Sequence, residues 1–459
     1  MNWITKAIQV FSSFAWGTPL LVLLLGGGVF FLIYSRFQPF KYIGHAVRVL
    51  KGDYKEKNVH GQIDHYEALS TAIAATVGLG NISGVAVAIT MGGPGAIFWM
   101  WVSAIIGVST KFFTCSLAVM YRGKDSKGEF QGGPMYVIEQ GLGKKWKPLA
   151  MFFSLAGMIG VSPMFQTNQL TEIVAEIYQR HFIVGDEFYL RLIIGIVIAA
   201  IVGVVIFGGI ERIGKVAGKM VPFMVVLYIV LVLFILVVNY KSIPASFALI
   251  FKDAFSGTAV LGGSLGALIV VGVKRAAFSN EAGIGTAPMA HGAALTEEPI
   301  REGLVGMLGP IIDTIIVCTM TALAIIVTGT WKENVNDGIT LTMDAFSNNI
   351  PVIGPYLLLL CVIIFSLTTL FAFPYYGSKC MGYLFGAKYK WIYNYLFVIA
   401  ILIGAVISLS TIIDLTDGMY AMMAFPTMIS ALLLAPKVKK AADNYFKRLK
   451  SGEFDQPDK

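Results

Sequence analysis

The sequence predicts an all-α integral membrane protein with about 11 transmembrane helices: one N-terminal helix, then a 5+5 inverted-repeat core containing two broken helices. Three observations carry this. The chain is 56% hydrophobic and 14% charged, with a mean hydropathy of +0.73, whereas soluble domains carry roughly 25% charged residues. Apolar runs near the ~20 residues of a spanning helix recur along the whole chain, and no polar block is long enough for a separate soluble domain. The second and seventh runs contain clustered glycines, which weaken a helix and give a membrane span no stability.

The first residues lack a short charged region and a small-residue cleavage site, so no removable signal peptide is expected. Ile4, Ala7, Ile8, Phe11 and Phe14 fall at helical spacing and predict a short interfacial helix. The spans follow near 15–35, 67–91, 94–121, 148–178, 189–209, 214–238, 258–280, 303–329, 353–384, 391–411 and 415–436. The fourth and ninth are too long for one straight crossing and are expected to tilt or to extend beyond the bilayer. Between the eighth and ninth, Asp337 to Pro351 contains a short helix, Thr340 to Phe346, placed to cover an entrance. The chain divides into an N-terminal part (1–65) with the interfacial segment, first span and a loop; a first repeat (66–257); a second repeat (258–436); and a basic-then-acidic tail (437–459).

Lys and Arg set the orientation. One side collects Arg36 to Lys57, Arg122 to Lys147, Arg212, Lys215, Lys274, Arg275, Arg301, Lys388, Lys390 and the tail. The other has Lys6, Arg180, Arg191, Lys241, Lys252 and Lys332. By the positive-inside rule the first side is cytoplasmic, which puts the N-terminus outside and the C-terminus inside a cell membrane. The same topology explains the net charge of +8, so nucleic acid is not expected as a partner. The tail reads as a solvated end at the lipid headgroups.

The first interrupted run holds Thr76-Val77-Gly78-Leu79-Gly80-Asn81, and the second Gly262-Gly263-Ser264-Leu265-Gly266. Irregular backbone at membrane depth is tolerated where it is buried in protein or lines a cavity. Small residues at a helix contact are the plainer reading of either cluster. With the first span set aside, the two runs become helices one and six of ten and cross in opposite directions, as inverted repeats require.

At this point a resemblance is plain. The chain resembles the alanine or glycine:cation (sodium) symporter family, over nearly its whole length. The resemblance rests on Thr76 to Ile82, Gly92-Gly93-Pro94-Gly95-Ala96, Gln131-Gly132-Gly133-Pro134-Met135-Tyr136, Phe278-Ser279-Asn280-Glu281-Ala282-Gly283-Ile284-Gly285, Ser366-Leu367-Thr368-Thr369 and Tyr375-Tyr376-Gly377. It implies a leucine-transporter-type fold and sodium-coupled import of a small neutral amino acid (alanine, glycine or glutamine) by alternating access, with no organic cofactor. The oligomeric state stays open.

If the helix breaks at Gly78, the amides of Leu79, Gly80 and Asn81 are free for a carboxylate, and Gly263, Ser264 and Gly266 present backbone from the opposite side. Thr76 and Asn81 meet substrate or a second ion. Sodium needs oxygen ligands. By similarity to the fold's shared ion site, the carbonyls of Ala74, Val77 and Phe365 join the hydroxyls of Thr368 and Thr369. From the residues alone, those hydroxyls would bond their own helix, as Thr commonly does. The family pattern puts Gln166 in the substrate pocket. It also puts a wall residue at Phe373, where many members have Trp; the smaller ring leaves room for glutamine.

Three charges in or beside the spans are read separately. Lys111, ~26 Å into its span at 1.5 Å per residue, is expected to snorkel as an anchor. Asp313, ~15 Å deep, is expected mainly to bond a neighbouring helix, with proton carriage as the alternative. Glu281, near Lys274 and Arg275, suggests a cytoplasmic gate pair or a plain ion network.

The rival readings are weaker. A gated channel would need rings of charge or repeated filter loops. An enzyme is not expected: the histidines His45, His60, His65, His181 and His291 lack metal-ligand spacing such as HExxH. Cys115, Cys318, Cys361 and Cys380 lie in or beside apolar segments without CxxC spacing.

Overall fold

The computed structural model describes residues 3–54, 59–179, 186–256, 265–332, 338–406 and 410–455. Its helices are α1 (Trp3–Ala15), α2 (Thr18–Tyr34), α3 (Ile43–Lys51), α4 (His65–Thr76), α5 (Val85–Gly92), α6 (Ala96–Met120), α7 (Lys147–Gly160), α8 (Met164–Gln179), α9 (Glu187–Ile206) and α10 (Gly209–Val238). They continue as α11 (Ile243–Asp253), α12 (Leu265–Asn280), α13 (Thr286–His291), α14 (Pro299–Gly306), α15 (Thr319–Thr328), α16 (Gly338–Asn349), α17 (Gly354–Phe385), α18 (Ile392–Val406), α19 (Ser410–Met422) and α20 (Ala424–Lys450). Gly80–Gly84 and Ile311–Cys318 are π-helical, and a two-residue antiparallel hairpin pairs Gly123 with Gln131.

Among the described residues, nine helical runs are long and apolar enough to cross a membrane, or ten if the pair His65–Thr76 and Gly80–Gly92, bent by 56°, counts as one. Of the spans expected from the sequence, the one outside this set is α12, with 16 residues. Burial sorts the runs into layers. In the most apolar window of α6, 78% of residues are buried, against 28% for Glu187–Ile206 and 33% for Gly209–Val238. The first lies in the core, while the other two turn apolar side chains such as Val204, Phe223 and Val237 outward, as lipid-facing helices do.

The overlong fourth span is a 36-residue run, Lys144–Gln179, interrupted at 161–163 between α7 and α8, where Pro163 cannot continue the α7 hydrogen-bond ladder. The ninth is continuous over 32 residues despite Pro374. The N-terminal helix forms as α1, joined with α2 in one apolar run, Thr5–Tyr34, and packs on α19, with Phe11 against Gly418. The short helix before the ninth span forms as α16, and its Thr342 hydroxyl donates to the Ile82 carbonyl at 3.4 Å.

Two expectations change. The last helix runs through Pro436 to Lys450, so the tail does not begin as a solvated end. Tyr445 and Phe446 are buried, and the Tyr445 hydroxyl meets His45 Nε2 at 2.8 Å and Arg301 Nε at 3.3 Å. Lys111 is no anchor either. It is 2% exposed in the middle of the core, within electrostatic reach of Glu281 and Asp313. Depth counted along a span assumes the helix faces lipid; α6 is wrapped by protein, so its lysine has no route to a headgroup.

Candidate functional site

The site begins with how α4 starts and stops. Asp64 caps it in a reciprocal capping box: its carboxylate accepts from the Glu67 amide at 2.7 Å, and Glu67 accepts from the Asp64 amide. At Val77 the backbone turns extended (ψ 97°) and the helix ends. Asn81 then reaches back, its Oδ1 accepting the Gly78 N–H at 2.9 Å. Its Nδ2 donates to Asp313 Oδ1 at 2.7 Å and lies 3.1 Å from Ser279 Oγ. Ser279 and Thr314 each donate to Asp313 Oδ2 at 2.7 Å. One buried carboxylate therefore collects donors from both broken regions, consistent with the bonding role weighed for Asp313.

This network moves Asn81 away from the role expected of it. Asn81 is fully buried behind the break, does not line the cavity, and its N–H is used by the Gly78 carbonyl at 3.1 Å. Of the three amides expected to be free, its own is not.

A cavity of about 250 Å³ opens in front of the break. Thr76, Gly78, Leu79 and Gly80 form one wall, Phe165 and Gln166 of α8 a second, and Thr369 and Phe373 of α17 a third. Gln166 Oε1 is buried with no hydrogen-bond partner. An unanswered buried acceptor is costly, so it marks a place where a donor is expected. Phe373 stacks with Tyr420 at 6.4 Å between ring centroids.

Beside the cavity, α17 meets the end of α4. Thr369 Oγ1 lies 3.1 Å from both the Ala74 and the Phe365 carbonyl oxygens. Thr368 Oγ1 bonds the same Phe365 carbonyl at 2.9 Å. Both hydroxyls thus bond their own helix, and Thr369 also bridges to the broken one. A Cβ on Gly78 would sit 2.8 Å from Thr369 Oγ1, so only glycine lets the two segments approach this closely. Val77 ends the same turn of α4.

Of the glycine cluster expected to break the second run, Gly263 and Ser264 lie outside the described residues, and Gly266 sits exposed near the start of α12 and does not line the cavity. Among the described residues a break lies further on: α12 ends at Asn280, and α13 starts at Thr286. Between them Glu281 takes a left-handed backbone (φ 56°), followed by Gly283 (φ 92°) and Gly285 (φ 113°). The Glu281 carboxylate accepts from Thr286 Oγ1 and faces the cavity. Lys274 and Arg275 are likewise not at a span's end. They line the cavity with Phe278, opposite Asp417 of α19, with which both interact electrostatically.

Trp16, Phe278, Thr416, Asp417 and Tyr420 line the cavity without having been expected there. Asp417 was findable: it is an acid inside the run read as the last span, one helical turn before Tyr420. Nothing local in the sequence marks Trp16.

A sequence model of the sodium:alanine symporter family matches residues 1–459. "Sodium/alanine symporter AgcS" of Methanococcus maripaludis is 40% identical over 93% of this chain and 94% of its own length. "Probable sodium/glutamine symporter GlnT" of Bacillus subtilis is 34% identical over 97% of this chain and 91% of its own. Among solved structures, MhsT in complex with L-phenylalanine superimposes with a TM-score of 0.57 at 14% identity, covering 83% of this chain and 98% of that one. That last likeness speaks to the fold, a leucine-transporter-type helical bundle.

Proposed function

Since the chain belongs to the sodium:alanine symporter family and is a multi-pass membrane transporter rather than an enzyme, we propose that it imports a small neutral amino acid with Na⁺ by alternating access. Sodium sits between the α4 end and α17, held by the carbonyls of Ala74, Val77 and Phe365 and the hydroxyls of Thr368 and Thr369. The substrate carboxylate meets the Leu79 and Gly80 amides beside Gly78, its ammonium donates to Gln166 Oε1, and its side chain points toward Phe373. Thr76 lines the same wall. The charge bias of the loops places the α17 C-terminal end in the cytoplasm and the N-terminus outside.

The observation that carries the reading is a single junction. Thr369 Oγ1 lies 3.1 Å from both Ala74 O and Phe365 O, directly behind the glycine that borders the cavity. A cation there would fix α4 against α17 and, through the same turn of backbone, shape the substrate wall. That makes the two sites one coupled unit.

Glutamine is carried as a substrate alongside alanine and glycine, because Phe373 leaves more room than a Trp would, and a relative is named for glutamine. The test is uptake of labelled alanine, glycine and glutamine into proteoliposomes with Na⁺ outside and K⁺ inside. Uptake of at least one, only under the inward Na⁺ gradient, is expected. Gradient-independent uptake, or Na⁺ current at channel rates without substrate, would reject symport.

A further inference from the structure

On the side of the breaks where α4 begins and α13 ends, one carboxylate holds both half-helices. Glu302 of α14 is fully buried. Its Oε2 meets Nδ1 of His65, the first residue of α4, and its Oε1 meets Nδ1 of His291, the last residue of α13, at 2.5 Å. The surrounding seam is backbone: Leu295 N–H donates to Ile63 O at 2.7 Å, Gln62 N–H to Ala293 O at 2.8 Å, and Arg122 bonds Gly292 O at 3.0 Å and Thr296 O at 2.8 Å. From α17, Lys379 Nζ donates to Met289 O at 2.9 Å.

The two imidazoles are not equivalent. His291 Nε2 is buried with no partner, so a proton there would be a buried donor without an acceptor, which leaves Nδ1 as the nitrogen that donates to Glu302. The His65 side chain is 13% exposed and lies at the edge. A buried carboxylate needs a counter-charge, and His65 is placed to supply it. Cys115 of α6 also faces Glu302, whereas Arg301 turns away to the Tyr54 carbonyl and to Tyr445 of α20, which in turn holds His45 of α3.

We infer that Glu302, His65 and His291 form a proton-binding latch that joins the release-side halves of the two broken helices. With His65 protonated, the carboxylate is neutralised and α4 and α13 stay together. Loss of that proton leaves a buried anion held by neutral donors, and the halves part. A group held protonated by its partner stabilises the closed arrangement below its pKa and gives up that stabilisation as pH rises through it. Closure is therefore firm in acid and loosens through neutral pH. The inference leans on the alternating-access reading only for its consequence, that alkaline pH on this side favours release.

Cys380 reports the opening. It is fully buried, with its Sγ 4.0 Å from Met289 Sδ on α13, so it lies beneath the part that moves. Purified full-length protein, at fixed Na⁺ without amino acid, is treated with N-ethylmaleimide between pH 6 and 8. Modification at Cys380 is read by mass spectrometry and divided by the rate for detergent-unfolded protein at the same pH, which removes the thiolate dependence. The corrected rate is expected to rise about tenfold across that range, following one titration. Glu302→Gln and His65→Gln are expected to react fast and without pH dependence, and His291→Gln to keep the dependence. A flat corrected rate in the wild-type chain, or a pH slope retained in His65→Gln, overturns the latch; His65→Gln decides alone if Glu302→Gln does not fold. Opening is read without cargo, so a failure here leaves symport standing, and a failure of Na⁺-driven uptake leaves the latch standing.

Discussion

At Gly78 the chain leaves its helix with unstrained backbone and neutral partners: an amide side chain folds back on it, and a threonine hydroxyl meets it from α17. At Glu281 it leaves with a non-glycine residue in the left-handed region and a buried carboxylate at the cavity wall, facing Thr286, Tyr420, Tyr376, Lys111 and Asp313. A left-handed backbone at such a residue costs about 1–3 kcal/mol and persists where the surroundings over-determine it. In the proposed function, the first break supplies the backbone ligands for an ion and a zwitterion. The second is a charged hinge whose neighbours must be answered inside the protein. Asp313 ties them, accepting from Asn81 on one side and Ser279 on the other.

The tie is the first thing to cut. Asp313→Ala leaves Asn81, Ser279 and Thr314 without their shared acceptor and leaves Glu281 as the carboxylate near Lys111. A loss of roughly 1–3 kcal/mol for each donor left unanswered is expected, seen as a steep fall in thermal unfolding temperature in detergent. An unchanged melt would mean that the two breaks are independent.

Thr369→Ala acts on the first break alone. It should raise the sodium concentration for half-maximal uptake about tenfold, near 1.4 kcal/mol, while leaving the melt close to wild type. Unchanged sodium activation would remove Thr369 from the ion cage. Gln166→Ala should raise the apparent KM for alanine about fivefold, within the cost of one hydrogen bond to a charged group, with little effect on sodium activation. Wild-type kinetics would take Gln166 out of the substrate site. The smallest effect is expected from Phe373→Trp: a few-fold loss for glutamine beyond any loss for alanine, measured by competition, as one added ring discriminates only weakly. Equal losses would undo the argument from pocket size.

The contrast between the breaks also explains what could be read from sequence. The first was legible because Gly78-Leu79-Gly80 interrupts an otherwise apolar run with nothing charged nearby. The break seen among the described residues of the second run lies some twenty residues beyond the expected glycine cluster. Gly262 to Gly266 offered a glycine cluster in the right run, and Lys274 and Arg275 imitated the basic end of a span. The actual break carries its own glycine pair, Gly283 and Gly285, but it lies beyond those two charges, where a hydropathy reading has already left the membrane. Lys111 and Asn81 failed for a related reason. The period and depth of a span say how far in a residue lies, not whether lipid, cavity or protein surrounds it. Thr369, Gln166 and Phe373 were placed together through the family resemblance, and the geometry brings all three to one cavity.

The most direct test of coupling is equilibrium binding to the purified protein. Labelled alanine is titrated at low and saturating Na⁺, and Na⁺ at low and saturating alanine. The account predicts that each ligand tightens the other by the same factor, on the order of tenfold or more, because a coupling free energy is reciprocal. It also predicts that Thr369→Ala shrinks both factors together. Alanine binding with an affinity indifferent to Na⁺ would contradict the claim that the ion between α4 and α17 shapes the substrate wall.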